Sequence, residues 1–143
     1  MKIIIKRIDK NIPLPEYKTK GAVAFDLSSR EEVIIPSLAV GYIPLNIIVK
    51  VPAGFSLKIF ARSGLHKKGL LLANSVGVID TDYCGEEDEI KAACYNFTSS
   101  PIIVEKGERI VQGIFEKHEL VEWEEIDKMT NLSRGGFNST GAF

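Results

Sequence analysis

Short apolar stretches, separated by polar, glycine or proline punctuation, recur along most of the chain. Lys2 to Ile8 reads as a strand, followed by a proline-bearing connector from Asn11 to Tyr17. Gly21 to Leu27 and Glu32 to Pro36 come next. Val40 to Pro44, Asn46 to Val51 and Phe55 to Phe60 continue the rhythm, with Pro52-Ala-Gly54 as a turn. The apolar run Leu70 to Ile79 predicts a strand, and Glu89 to Phe97, Ile102 to Val104 and Arg109 to Phe115 predict three more. β-Branched and aromatic residues in short runs bounded by turn formers favour strands. Strands at this close, even spacing predict an all-β fold: a β-sandwich, barrel or jelly roll. Helical periodicity is scarce. Ser63 to Gly69 predicts one helical turn with Gly69 in the C-cap role, and the acidic, partly apolar stretch Val121 to Lys128 predicts a last strand, with a short helix as the alternative.

Length makes this a single domain: 143 residues are enough to bury about two thirds of the unfolded surface. The 18 basic and 19 acidic residues leave a net charge of -1, which removes any bulk electrostatic case for a nucleic-acid or membrane partner. Cys84 and Cys94 make no disulfide framework, and no Cys/His spacing fits zinc. The apolar core of Met1 to Arg7 is too short for a signal peptide, and no run approaches membrane length, so a cytoplasmic location is expected. From Thr130 the composition turns to Gly, Ser and Asn. Residues 1–130 are therefore expected to form the β domain, and residues 131–143 a mobile arm that cannot supply its own core.

Candidate chemistry begins at Gly77-Val-Ile-Asp-Thr-Asp-Tyr-Cys-Gly85. A strand ending in Asp-Thr-Asp-Tyr delivers carboxylates and an aromatic ring to a turn, where Asp80 suits a general base and Tyr83 a flat ligand surface. A plain hairpin whose aspartates bond their own turn is the simpler alternative. Ala61-Arg-Ser-Gly64 brings a guanidinium, a hydroxyl and backbone N–H groups to one turn, as phosphate oxygens require, with Lys67 and Lys68 adding positive potential. In Gly107-Glu-Arg-Ile-Val-Gln112, odd spacing on a strand sends Arg109 and Gln112 to opposite faces. Arg109 then becomes a structural ion-pair partner of Asp26 or Glu108. In the tail, Arg134, Ser139 and Thr140 supply donors and Phe137 a flat cover, the equipment of a closing lid.

Taken in order, these motifs resemble the homotrimeric dUTP diphosphatases, the dUTPases. The five segments are Ala24-Phe-Asp-Leu27, Ala61-Arg-Ser-Gly-Leu65, Gly77 to Gly85, Gly107 to Gln112 and Gly135-Gly-Phe-Asn-Ser-Thr-Gly141. The resemblance spans nearly the whole chain and implies a jelly roll with three active sites at trimer interfaces. In each, motif groups from two subunits form the cleft and the tail of the third closes it. It implies hydrolysis of dUTP to dUMP and pyrophosphate, limiting uracil in DNA and supplying dUMP for thymidylate synthesis. By this likeness Asp80 holds the water that attacks the α-phosphorus. A free aspartate is a feeble base at neutral pH, so positioning and a magnesium ion on the phosphates contribute most of the acceleration. Asp26 acts on that ion through water or through its ion pair. Tyr83 stacks under the deoxyribose and excludes a 2′-hydroxyl. Asn74, Gly77, Val78 and Ile79, with Lys91 across the hairpin, read uracil. Arg62, Ser63, Gly64 and Gln112 match the phosphate positions, and Phe137 covers the base.

The chain departs from the family pattern at Cys84, usually Arg or Gln, and in the longer stretch Glu86-Glu-Asp-Glu-Ile90, read as a hairpin tip extended into solvent. Leu132 stands where an arginine is frequent, with Arg134 two residues on, and Asn138 replaces a frequent glycine. Two other functions compete: a related dCTP deaminase, alone or bifunctional, and a non-catalytic nucleotide-sensing trimer that binds a protein partner.

Overall fold

The computed structural model describes residues 1–136 and folds as a jelly-roll-like β-sandwich in which every strand pairing is antiparallel. One sheet runs in the order β2 (Phe25–Ser28), β11 (Arg109–Lys117), β6 (Phe55–Ala61) and β8 (Gly77–Ile79). A second runs β4 (Val40–Pro44), β9 (Lys91–Asn96) and β7 (Leu70–Leu72). Two pairs complete the shell: β1 (Ile4–Arg7) on β5 (Ile47–Lys50), and β3 (Val33–Ile35) on β10 (Ile102–Val104). The expected helical turn is a 3-10 turn, Leu65–Lys68. Gly69 closes it at φ 86°, a left-handed conformation that glycine adopts without a Cβ penalty.

Alternation builds the core. Phe25 and Leu27 of β2, Leu57 and Ile59 of β6, and Ala92 and Cys94 of β9 face inward while their neighbours face out. Truncating a fully enclosed member such as Leu57 to alanine removes about 3 kcal/mol of stability. Burial pushes the Cys94 thiol up to about 11. The buried Asn96 amide is fully used. Its Nδ2 donates to the Pro36 and Ser100 carbonyls at 3.1 and 2.8 Å, and its Oδ1 accepts from the Thr98 amide at 2.9 Å. Among the described residues no buried side-chain polar atom lacks a partner.

Three local expectations change. The run Leu70 to Ile79 is two strands: β7 pairs with β9, whereas β8 pairs with β6 in the other sheet. A turn at Ala73–Val76 makes the switch, with Ser75 at φ 60°. An apolar run looks continuous in sequence because both halves are drawn to the same core. Gly77 opens β8 because a Cβ there would sit 3.2 Å from Ile59 Cβ, so the two strands approach closely at that point. Val121 to Lys128 forms no strand. It is exposed throughout, with Trp123 at 91% and Val121 at 66%, and meets no ladder partner among the described residues. The third change, at β11, bears on the site.

Candidate functional site

Strand β11 carries a bulge: its register with β2 shifts between Arg109, opposite Ser28, and Val111, opposite Leu27. The extra residue turns both Ile110 and Val111 inward and puts Arg109 and Gln112 on one exposed face. Sequence spacing had placed them on opposite faces; the bulge overrides that alternation. Arg109 does pair with Asp26, as its structural role required, with NH1 2.9 Å from Oδ2. Arg62 takes the other oxygen, Nε to Oδ1 at 2.8 Å, and its NH1 donates to the Arg109 carbonyl at 3.2 Å. Gln112 Nε2 donates to the Ala61 carbonyl at 3.0 Å, pinning the backbone just before Arg62. Two guanidiniums on one carboxylate leave a locally positive surface, with exposed Ser63 and Gly64 beside it. Such a cradle suits phosphate oxygens. Lys67 is exposed, and Lys68 is tied to Glu108 at 2.9 Å.

The second group of predicted residues gathers elsewhere. Asn74, Val78, Ile79, Asp80, Tyr83 and Lys91 line one cleft of about 350 Å³, completed by Tyr42, Ile90 and Ala93. Gly77 precedes them on β8. The Asp80 carboxylate is exposed at the end of β8 and, among the described residues, no cation engages it. Asp80 also borders a second cavity lined by Ser56, Thr81, Asp82 and His118, so it stands on the ridge between two hollows. Tyr83 is half-exposed, and its hydroxyl donates to the Glu89 carbonyl at 3.2 Å. The loop after it does not simply extend into solvent: Glu86 and Glu87 are exposed, but Glu89 is buried against Arg30. Tyr42 and Glu89 had no signal in the sequence beyond their identity, because each acquires its place from a strand distant in the chain.

The two groups are far apart in one chain. Leu57 lies opposite Ile79, which puts Asp80 beside Ser56, six residues along β6 from Arg62. At about 3.3 Å per residue that is a separation of roughly 20 Å. Arg134 is exposed on an irregular segment, and Phe137, Ser139 and Thr140 lie outside the described residues. Among the described residues no group of three or more His, Cys, Asp or Glu side chains converges on a metal position, and both Asp26 oxygens already hold a guanidinium.

A family model for dUTPase matches residues 10–141. The chain belongs to the dUTPase family. Its relatives include the deoxyuridine 5'-triphosphate nucleotidohydrolase of Helicobacter pylori strain J99, 38% identical over 99% of this chain and 97% of that protein. Among solved structures, the dUTPase of Streptococcus mutans aligns at 36% identity with a TM-score of 0.77, over 83% of this chain and 98% of its own. The dUTPase of Staphylococcus bacteriophage 80alpha, solved with dUPNHPP, has a TM-score of 0.85 over 98% of both chains. At 22% identity that last likeness concerns the dUTPase fold alone.

Proposed function

We propose that this dUTPase-family protein hydrolyses dUTP to dUMP and pyrophosphate at a cleft completed by another copy of the chain. The observation that carries the reading is the split between the two groups. The cleft around Asp80 and Tyr83 has the size and mixed polar and apolar lining of a nucleoside site but no phosphate-binding cations beyond Lys91. The Arg62–Arg109–Gln112 surface has the cations, and the cavity of about 540 Å³ that reaches Asp26 and Arg109 is lined by Asn11 to Glu16, Lys18 and Lys106, with none of the uracil-reading residues or Tyr83 in it. A nucleotide cannot span roughly 20 Å of strand while keeping its α-phosphorus beside Asp80. Two copies bring the groups together, and a closed threefold ring repeats that contact three times. Exposed Trp123, Leu120 and Met129 give such an assembly apolar surface to bury.

In this mechanism Asp80 accepts the proton of a water aimed at the α-phosphorus, and the bond to the pyrophosphate oxygen breaks. Arg62, Ser63, Gly64 and Gln112 hold the phosphates in line, which contributes through orientation and electrostatic preorganisation. Asn74 and the backbone of Gly77 to Ile79 read the uracil edge, where cytosine leaves donors unpaired, and Lys91 stands at the rim. Tyr83 supports the deoxyribose. The arm, residues 131–143, closes the site with Arg134, Ser139 and Thr140 on phosphate and Phe137 over the base. Among the described residues no carboxylate cluster cages a metal, so a magnesium ion would be held mainly by the substrate's phosphates, with Asp26 the nearby carboxylate to meet its water. When bound it neutralises charge developing on the phosphates. Asp26 orients Arg62 and Arg109 directly and reaches such an ion through water. That reaction would limit uracil in DNA and supply dUMP for thymidylate synthesis, and a cytoplasmic place is part of the same proposal.

Pyrophosphate release from dUTP, dCTP, dTTP and UTP, with magnesium and with chelator, tests the proposal. Magnesium-dependent turnover of dUTP alone supports it. Ammonia release from dCTP would instead favour a deaminase, and binding without turnover a nucleotide sensor.

A further inference from the structure

We infer that Glu89 and Arg30 are positioning residues for Tyr83, holding in place the ring that separates deoxyribose from ribose. The inference rests on the reading of Tyr83 as the sugar platform. Tyr83 is 39% exposed, so packing alone leaves its ring free to tilt. Its hydroxyl donates to the Glu89 carbonyl at 3.2 Å, so the ring can be no steadier than the backbone of Glu89. That backbone follows a turn in which Glu86 pairs with Lys6 and Asp88 accepts the Gly85 N–H at 2.6 Å.

The Glu89 side chain adds the tie to Arg30 and Asn46 that sets its direction. Glu89 is 7% exposed, and its two carboxylate oxygens meet Arg30 Nε at 2.9 Å and NH2 at 3.2 Å. A fork of this kind fixes direction as well as distance. The same Oε1 accepts the Asn46 amide at 2.9 Å. Arg30 is in turn held by its own N–H, which donates to the Pro44 carbonyl at 2.8 Å, and Ile90 N–H donates to Ile47 at 3.0 Å. The anchor therefore runs from strand β5 and the end of β4 through Arg30 and Glu89 to the Tyr83 ring. The Glu89 carboxylate holds the Arg30 guanidinium above its usual range, consistent with a formed pair. Exclusion of a 2′-hydroxyl depends on overlap of a fraction of an ångström, so a loosened ring harms sugar selectivity before it harms turnover of dUTP.

The test compares kcat/KM for dUTP and UTP, with melting temperature measured alongside. Glu89→Gln keeps the side-chain shape and removes the charge; the dUTP/UTP ratio is expected to fall about tenfold, with Arg30→Lys between it and the parent. Tyr83→Phe is expected to lower the ratio similarly, and adding Glu89→Gln to it to change the ratio no further, because both act through one hydrogen bond. Ile35→Val, a core change in β3, controls for loss of stability and leaves the ratio untouched. An unchanged ratio in Glu89→Gln, or additive losses in the double variant, overturns the inference. Should Glu89→Gln not fold, Arg30→Lys decides by the same criterion. Tyr83→Ala separates the two levels: if it keeps full sugar selectivity, the platform reading fails and takes the inference with it. If Tyr83→Ala abolishes selectivity and Glu89→Gln does not alter it, only the inference falls.

Discussion

The two ends of strand β6 are built on opposite principles. At its C-terminal end, Asp26, Arg62, Arg109 and Gln112 hold one another through ion pairs and hydrogen bonds within a single chain. At its N-terminal end, Asp80 stands exposed on a ridge between two cavities, engaged by no cation among the described residues. The first end is preassembled, and removing one member leaves the others mispaired. The second is poised, and a poised carboxylate is what a proton acceptor requires. In the proposed reaction neither end suffices: one would hold phosphates, the other a nucleoside and a water, and the roughly 20 Å between them would call for a second copy.

The largest expected effect lies at the poised end. Asp80→Asn keeps the shape of the side chain and removes the proton acceptor, so turnover falls about 10³-fold while dUTP still binds. Full activity in that variant would show that Asp80 is not the base. At the preassembled end Arg62→Ala removes a phosphate donor and frees one Asp26 oxygen, lowering kcat/KM about 10²-fold. Isothermal titration with a non-hydrolysable dUTP analogue separates its two contributions, since lost phosphate contact weakens binding and Asp80→Asn does not.

How much of this contrast was legible in the sequence differs between the ends. Short alternating runs reveal the all-β class, and Gly69 marks the end of the 3-10 turn through the one conformation that favours glycine. The Asp80–Tyr83 group is contiguous in the chain, so its chemistry can be read directly. The ion-paired end depends on Asp26, Arg62 and Arg109 meeting across three strands; an Arg109 ion pair, to Asp26 or Glu108, was expected from a spacing that sent Arg109 away from Gln112, and the pair to Asp26 forms although the bulge overrides that spacing. The shared face of Arg109 and Gln112 was not expected, since a bulge adds one residue without altering the residue types around it. The buried Glu89 was hidden for a related reason: it closes an acidic run whose other members are exposed or half-exposed, and its partner lies 59 positions away. The failed strand at Val121 to Lys128 carries the same lesson inverted, a strand-like pattern lacking an edge to join.

Two smaller effects sharpen the comparison. Arg30→Met leaves the buried Glu89 carboxylate unpaired and removes about 3 kcal/mol, read as a lower Tm in thermal unfolding. A drop smaller than a surface pair gives would mean that water already solvates that carboxylate. Thiol labelling is the mildest probe. In the native protein a thiolate-directed reagent near neutral pH reaches Cys84 and spares Cys94, whose buried thiol stays protonated until about 11. Unfolding is expected to release the second thiol. Two labels per native chain would contradict the closed core beneath β9.

The central claim is that the two ends of β6 act on one substrate from different chains, and mixing inactive variants tests it most directly. Asp80→Asn and Arg62→Ala proteins are combined in equal amounts, exchanged by mild unfolding and refolding, and assayed for pyrophosphate release from dUTP. If each site takes its base from one chain and its phosphate cradle from another, random assembly restores about one quarter of parental activity. If both groups serve the same site from the same chain, no mixed assembly holds an intact site, and activity stays at the level of the separate variants.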